Sequence, residues 1–443
     1  MTQPLEIATR LVEMVGDRAE AEAQVGSGVE ALTRFANSFI HQNVAEDTPA
    51  VGLKLAVDGK VASGTTNRTD DESLSRLVEE TLEAASLQPV DPEWPGLTPP
   101  SDVPDVDHWD QATADADPDA RAAVVEQFVA AGPGMRAAGY CDTAAMRVAF
   151  ANSAGHAVEG RTTRATVDGI HQTDESAGSA HQTGGSIGML DGAAAGSLAA
   201  ERAKMGMNAY DIKPGDYEVV LSPECAATIL TFLAFYGFNG KAVIEGQSFV
   251  DLGKQQFDET VEVWDDATGD GSIGLPFDLE GTPKGRVDLI AGGVSKSVVH
   301  DRRTAKAAGV ESTGHSIPGS ATYGAFPSDM VMGDGDESPD DMIAAVDRGL
   351  YVATFNYCRI LDPKSQVVTG LTRNGTFMIE NGKITGAVTN MRFTQSFVEA
   401  LGPGRVLGLG NDRRFGDGEF GAGLVRAPSL RLASWHFTGG AEG

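Results

Sequence analysis

The sequence predicts an α+β protein of two domains, an α/β N-terminal domain over residues 1–213 and a β-rich C-terminal domain over residues 214–443. Three observations carry this. Residues 371–401 hold the most strongly patterned run in the chain, a β-hairpin with Asn381-Gly382 at its turn. Residues 215–236 read as a buried strand running straight into a helix that is apolar nearly all round, which makes it a core helix. Residues 88–120 contain seven prolines, which fix φ and remove backbone donors, so this stretch reads as an extended surface connection.

The elements follow in order. Leu5, Ala8, Leu11, Val12 and Val15 fall at helical spacing. Strands are predicted at 21–26, 32–35, 38–42, 51–57 and 60–63, the last pair joined by Asp58-Gly59. Leu74, Leu77, Val78, Leu82 and Ala85 form the apolar stripe of a helix opened by Thr69-Asp70-Asp71. Trp94 and Trp109 are expected to pin the proline-rich connection to the body by packing. A helix over 119–131 precedes paired strands within 135–164, turning at residues 152–155. In the second domain, Pro223 takes the first helical position and the core helix spans 224–236. Residues 290–294 form a second hairpin, His300 and Asp301 open a helix through Ala308, and the Gly/Ser/Asp-rich stretch 318–341 is suited to lining a cleft. Strand 350–355 leads to the patterned run. There Asn381-Gly382 supplies the positive φ values of a type I′ turn between strands 376–379 and 384–388. Met391, Phe393, Phe397, Val398 and Leu401 then predict a helix over 390–401, and residues 428–440 alternate as a closing strand.

Composition excludes several classes. A net charge of -29 argues against nonspecific binding to nucleic acid or anionic membrane, since both require cations to neutralise phosphate. No run approaches the ~18–20 apolar residues of a membrane span, and the first residues lack a basic segment followed by an apolar one, so a cytoplasmic location is the expectation. Cys141, Cys225 and Cys358 are far apart and make no CxxC pair, which predicts buried free thiols.

Two groups of residues have the right types for catalysis. His156, His171 and His181, with Asp174 and Glu175, could ligate a metal, although their spacings match no ligand-pair motif and exposed strands would produce them equally well. Asp278 and Glu280 would share a face on a strand and could act as an acid/base pair; the alternative is a charged edge beside the turn at residues 281–283. No GxSxG or SxxK surrounds a serine, and residues 402–408 fail the spacing of a dinucleotide loop.

The run Arg373-Asn374-Gly375-Thr376-Phe377-Met378-Ile379-Glu380-Asn381-Gly382-Lys383-Ile384 resembles the C-terminal signature of the TldD/TldE (PmbA) family. Further similar blocks occur in order at residues 31–42, 152–155, 215–224, 238–249, 275–281, 285–300, 312–316 and 428–440. The resemblance implies the two-domain fold of that family. In its catalytic TldD subunits the core helix carries HExxxH, whose histidines hold zinc while the glutamate acts as general base. Matching the preceding strand puts Thr231 at the first His, Phe232 at the Glu and Tyr236 at the second His, and residues 412–440 contain no Cys to serve as a further ligand. The resemblance therefore implies a TldE-like, non-catalytic subunit with no cofactor of its own. It would form a heterodimer with a TldD-like zinc subunit, and the pair would degrade or trim unstructured peptides. Two other readings stand beside it. One is an autonomous peptidase or amidase using the histidines or the carboxylate pair; the other is a regulatory module that binds proteins.

Overall fold

The computed structural model describes residues 3–417 and 424–440. Helix α1 (Pro4–Val15) leads into β1 (Glu20–Ala36), β2 (Phe39–Asp47), β3 (Ala50–Val57) and β4 (Lys60–Thr66), followed by α2 (Asp71–Leu87). After the connection come α3 (Gln111–Ala114), α4 (Pro118–Ala130), β5 (Arg136–Asn152), β6 (Ala157–Gln172), β7 (Ala177–Gly184) and α5 (Gly192–Met205). The seven strands form one sheet in the order β4-β3-β1-β5-β6-β7, with β2 on the distal half of β1. What sequence reading divides into strands 21–26 and 32–35 is one seventeen-residue strand. Its two halves pair with different neighbours, Glu20–Gly26 with β3 and Val29–Ala36 with β2.

This sheet has two unlike faces, as the period of two in a strand dictates. Ala21, Ala23, Val25, Leu53 and Leu55 pack under α1 and α2, while Phe35, Cys141, Val167 and Ala180 pack under α4 and α5. The alternate residues, among them Glu22, Gln24, Lys54, Tyr140, Asp168 and His181, point the other way. The proline-rich connection is mainly extended. Its tryptophans are only half-buried and hold it through polar and cationic contacts: the Trp94 indole N–H donates to Glu20 at 2.7 Å, and Arg147 lies 4.4 Å from the ring centre of Trp109.

The C-terminal half opens with β8 (Gly215–Leu221) and α6 (Pro223–Tyr236), then α7 (Gly240–Ile244), β9 (Val263–Asp265), β10 (Val287–Ala291), β11 (Val294–Ser295), α8 (Arg302–Ala308), α9 (Ser320–Tyr323), β12 (Met330–Met332) and α10 (Pro339–Ala344). It ends with β13 (Arg348–Asp362), β14 (Val367–Glu380), β15 (Lys383–Ala387), β16 (Met391–Ser396), α11 (Phe397–Ala400), β17 (Val406–Leu409), β18 (Arg414–Phe415), β19 (Arg426–Ala427) and β20 (Leu430–Gly440). Strands β13, β8, β20, β16 and β14 pair in turn, and β14 pairs back to β13, so the ring closes. Strands β11, β10, β9, β12, β19 and β18 form a smaller sheet.

The helix predicted over 390–401 is mainly strand β16, with a single turn, α11, at its end. Met391 and Phe393 are apolar at a spacing of two as well as on a helical stripe, and pairing with both β14 and β20 decides the matter. The three cysteines are free and buried, as their spacing predicts. Among the described residues no helix is long and apolar enough to cross a membrane.

The turn between β14 and β15 has φ of 51° at Asn381 and 74° at Gly382. A Cβ on Gly382 would stand 2.6 Å from the Ala344 carbonyl oxygen. Gly382→Ala is therefore expected to lower unfolding stability by about 1–3 kcal/mol in urea titrations, whereas Asn381→Gly should change it by less than about 0.5 kcal/mol. Equal effects would show that this turn does not constrain the hairpin.

Candidate functional site

Helix α6 starts where Ser222 is extended and Pro223 takes the first helical position. Its N-terminal end is clamped. Arg414 donates to both carboxylate oxygens of the buried Glu224, at 3.0 and 3.2 Å. Burial alone would raise that carboxyl, but Arg414 and Arg202 hold it down to about 2. Further along, the Thr231 hydroxyl donates to the Ala227 carbonyl at 2.8 Å, within the helix. Phe232 is buried, its ring 6.1 Å from Tyr236 and edge-on to Phe397 at 5.7 Å. Tyr236 is half-buried, and burial pushes its phenol up. Neither hydroxyl makes a useful zinc ligand beside imidazole or thiolate, and a phenyl ring accepts no proton. The nearest helical thiol, Cys225, is pushed far up by burial and its Sγ lies 3.5 Å from the Val352 carbonyl oxygen, so it is no thiolate ligand. These residues do not fit a catalytic zinc.

The polar face of the N-terminal sheet meets loops of the C-terminal half across two cavities of about 500 and 360 Å³. Here the structure places Asp278 and Glu280 differently from either sequence reading. They lie in a turn, not on a strand, and both are buried. Asp278 accepts backbone N–H groups from Glu280, Thr282 and Ser316, which makes it the turn's internal brace. Glu280 accepts the Arg302 N–H at 2.9 Å and stands 4.0 Å from Lys54, which also pairs with Glu22 at 3.1 Å. Burial, reinforced by Asp278, pushes the Glu280 carboxyl up to about 7. Burial raises Asp278 as well.

Beside this cluster, Lys284 donates to Ser328 at 2.7 Å and to Asp329 at 2.8 Å. Burial disfavours its charge, but Asp329 and Asp265 more than offset that and keep it an ammonium, so it cannot accept the serine proton. His315 is paired with Asp265 at 2.8 Å, both fully buried. The stretch at 318–341 does line the cleft, through Pro318, Phe326, Ser328 and Asp329.

The structure does not bring the three candidate histidines together. His156 lies at the seam, accepting the Ser101 N–H at 3.3 Å and donating to the Gly281 carbonyl at 2.8 Å. His171 is buried on the helix side, stacked on Phe128 at 5.0 Å, and burial lowers it. His181 alone faces the polar cleft, beside Asp168 at 3.2 Å. Asp174 and Glu175 sit apart in an exposed turn. Sequence reasoning misses Asp168 and Asp417, which are close to His181. Only the strand register, which sets Asp168 opposite His181, could reveal the first, and nothing local signals the second.

The profile of the PmbA/TldA metallopeptidase C-terminal domain matches residues 214–439, half of the chain. The chain belongs to the PmbA/TldA metallopeptidase family. Domain 1 of the same family matches residues 21–85. A metalloprotease TldD homologue of Buchnera aphidicola is 26% identical over 221 residues, 49% of this chain and 45% of that protein. A metalloprotease of Methanothermobacter thermautotrophicus is 25% identical over 229 residues, 50% of this chain and 49% of that one. The aligned part thus spans about half the length of these curated relatives. The fold is similar to the crystal structure of TldE from Thermococcus kodakarensis, with a TM-score of 0.88 at 18% identity, covering 98% of this chain and 100% of that one.

The seam cluster generates a pH prediction. Glu280 is raised from 4.5 to about 7, so the fold favours its neutral form; that contribution is complete below pH 4.5 and is lost as pH rises through 7. Urea stability should fall over this window, and Glu280→Gln should remove about 1–3 kcal/mol of the fall. Asp278 keeps part of the slope in the variant. Identical pH slopes for the two proteins would contradict the raised carboxyl of the buried Glu280.

Proposed function

We propose that this chain is the non-catalytic, TldE-like subunit of a two-chain zinc metallopeptidase that degrades or trims unstructured peptides. The observation that carries this reading is the content of α6: where the family's catalytic helix has HExxxH, this chain has Thr231, Phe232 and Tyr236, packed into an apolar core. Catalytic zinc and the general base then belong to a TldD-like partner in the cytoplasm. The part left to this chain is to complete the peptide cleft and hold the partner's shape.

The reading of the chain as an independent hydrolase gains no support from its other candidates. Asp278 is consumed by three backbone donors, Lys284 stays charged, and His156, His171 and His181 occupy three separate environments.

The test is cleavage of a labelled unstructured peptide by this chain alone, by a cognate TldD-like chain alone, and by the two mixed, each with and without added zinc. The expected result is no turnover above blank for this chain under either condition, and faster turnover for the mixture than for the partner alone. Turnover by this chain alone at the rate of the mixture would overturn the reading.

A further inference from the structure

The polar face of the N-terminal sheet carries a second constellation, in a cavity that Glu224 at the start of α6 also lines but Thr231, Phe232 and Tyr236 do not, and apart from the Glu22–Lys54–Glu280 cluster. The register aligns Tyr140 of β5, Asp168 of β6 and His181 of β7 directly across three strands. The next row is Asp142, Thr166 and Thr183. His181 Nδ1 is 3.2 Å from Asp168 Oδ2, and its Nε2 is 2.9 Å from Thr183 Oγ1. Thr183 is in turn 3.0 Å from Thr166 Oγ1. Asp417, from the segment after β18, brings a carboxylate over this row. One ligand atom from each of Asp168, His181 and Asp417 lies within 4.8 Å of the others, and all three line a cavity of about 320 Å³.

We infer that Asp168, His181 and Asp417 form a binding site for a divalent first-row transition metal, of which Zn²⁺ is the type, separate from the catalytic zinc of the family. Three features carry the assignment. The first is the donor set. One imidazole with two carboxylates suits Zn²⁺, Co²⁺ or Mn²⁺, whereas Ca²⁺ and Mg²⁺ take oxygen ligands alone. The second is the outer support. A ligating imidazole ordinarily donates its other N–H to a fixed acceptor, and Thr183 Oγ1, itself bonded to Thr166, stands at Nε2 to accept it while Nδ1 faces the carboxylates. The third is charge: with a neutral imidazole, the two carboxylates balance a divalent ion.

A structural cation here would tie the residues just after β18, the strand that supplies Arg414 to Glu224, to the N-terminal sheet. This inference does not rest on the proposed function: metal bound without cleavage leaves that function standing, and cleavage by the chain alone would not by itself locate a metal here.

The test uses the full chain without an affinity tag, stripped of metal and titrated with Co²⁺ and then with Zn²⁺ by visible absorption and calorimetry. One saturable equivalent of Co²⁺ is expected, with d–d bands that Zn²⁺ abolishes. His181→Ala and Asp168→Asn should each weaken binding at least about tenfold. Asp417→Asn, at an exposed position, should weaken it in the same direction, with the thermal melt of the metal-free variant recorded beside it to separate lost binding from lost folding. No saturable binding, or binding that Asp417→Asn and Asp168→Asn leave unaltered, would overturn the site and leave His181 as a hydrogen-bond partner of Asp168.

Discussion

Helix α6 is buried in all but its last two residues, and the C-terminal half is built around that. Twelve of its fourteen residues are buried, so it lies inside a core, with Glu224 at its start lining a cavity. The closed ring of β13, β8, β20, β16 and β14 contributes Leu221, Val352, Phe393, Leu432 and Trp435 to the same cluster. Polar groups at the helix start are satisfied locally: the Ser222 hydroxyl donates to the Ala353 carbonyl, and Arg414 closes on Glu224. A hydrolytic zinc site needs the opposite arrangement, three protein ligands and a position open to water. Packing and chemistry compete for the same side chains, and here packing has all of them.

The N-terminal sheet works under a different constraint. Its helix-covered face is apolar, but the face toward the C-terminal half carries Glu22, Lys54, Arg164, Asp168 and His181. Burying charges costs more than their attraction returns unless the geometry is good. The seam meets that condition by pairing Lys54 with Glu22, by three backbone donors on Asp278 and by a Glu280 carboxyl that burial pushes up to about 7.

Much of this was legible in the sequence, and the failures have physical causes. The Asn381-Gly382 turn, the start of α6 at Pro223 and the hairpin about residues 152–155 are local signals and stand where they were expected. The run at 390–401 fits both periods over so few residues, and only its two flanking strands decide for β16. Asp278 and Glu280 read as surface residues because nothing local shows that a second sheet covers them. The constellation at Asp168, His181 and Asp417 joins residues separated by more than two hundred positions, which spacing cannot anticipate.

The central claim is that no peptide-bond chemistry is done on this chain. It is tested most directly by mixing this chain, unaltered, with a TldD-like partner whose HExxxH glutamate is changed to glutamine, and measuring peptide turnover under conditions where the unaltered pair is active. The account predicts that all turnover disappears while the two chains still co-elute. Turnover that survives in the mixture would place a working catalytic site on this chain and contradict the account.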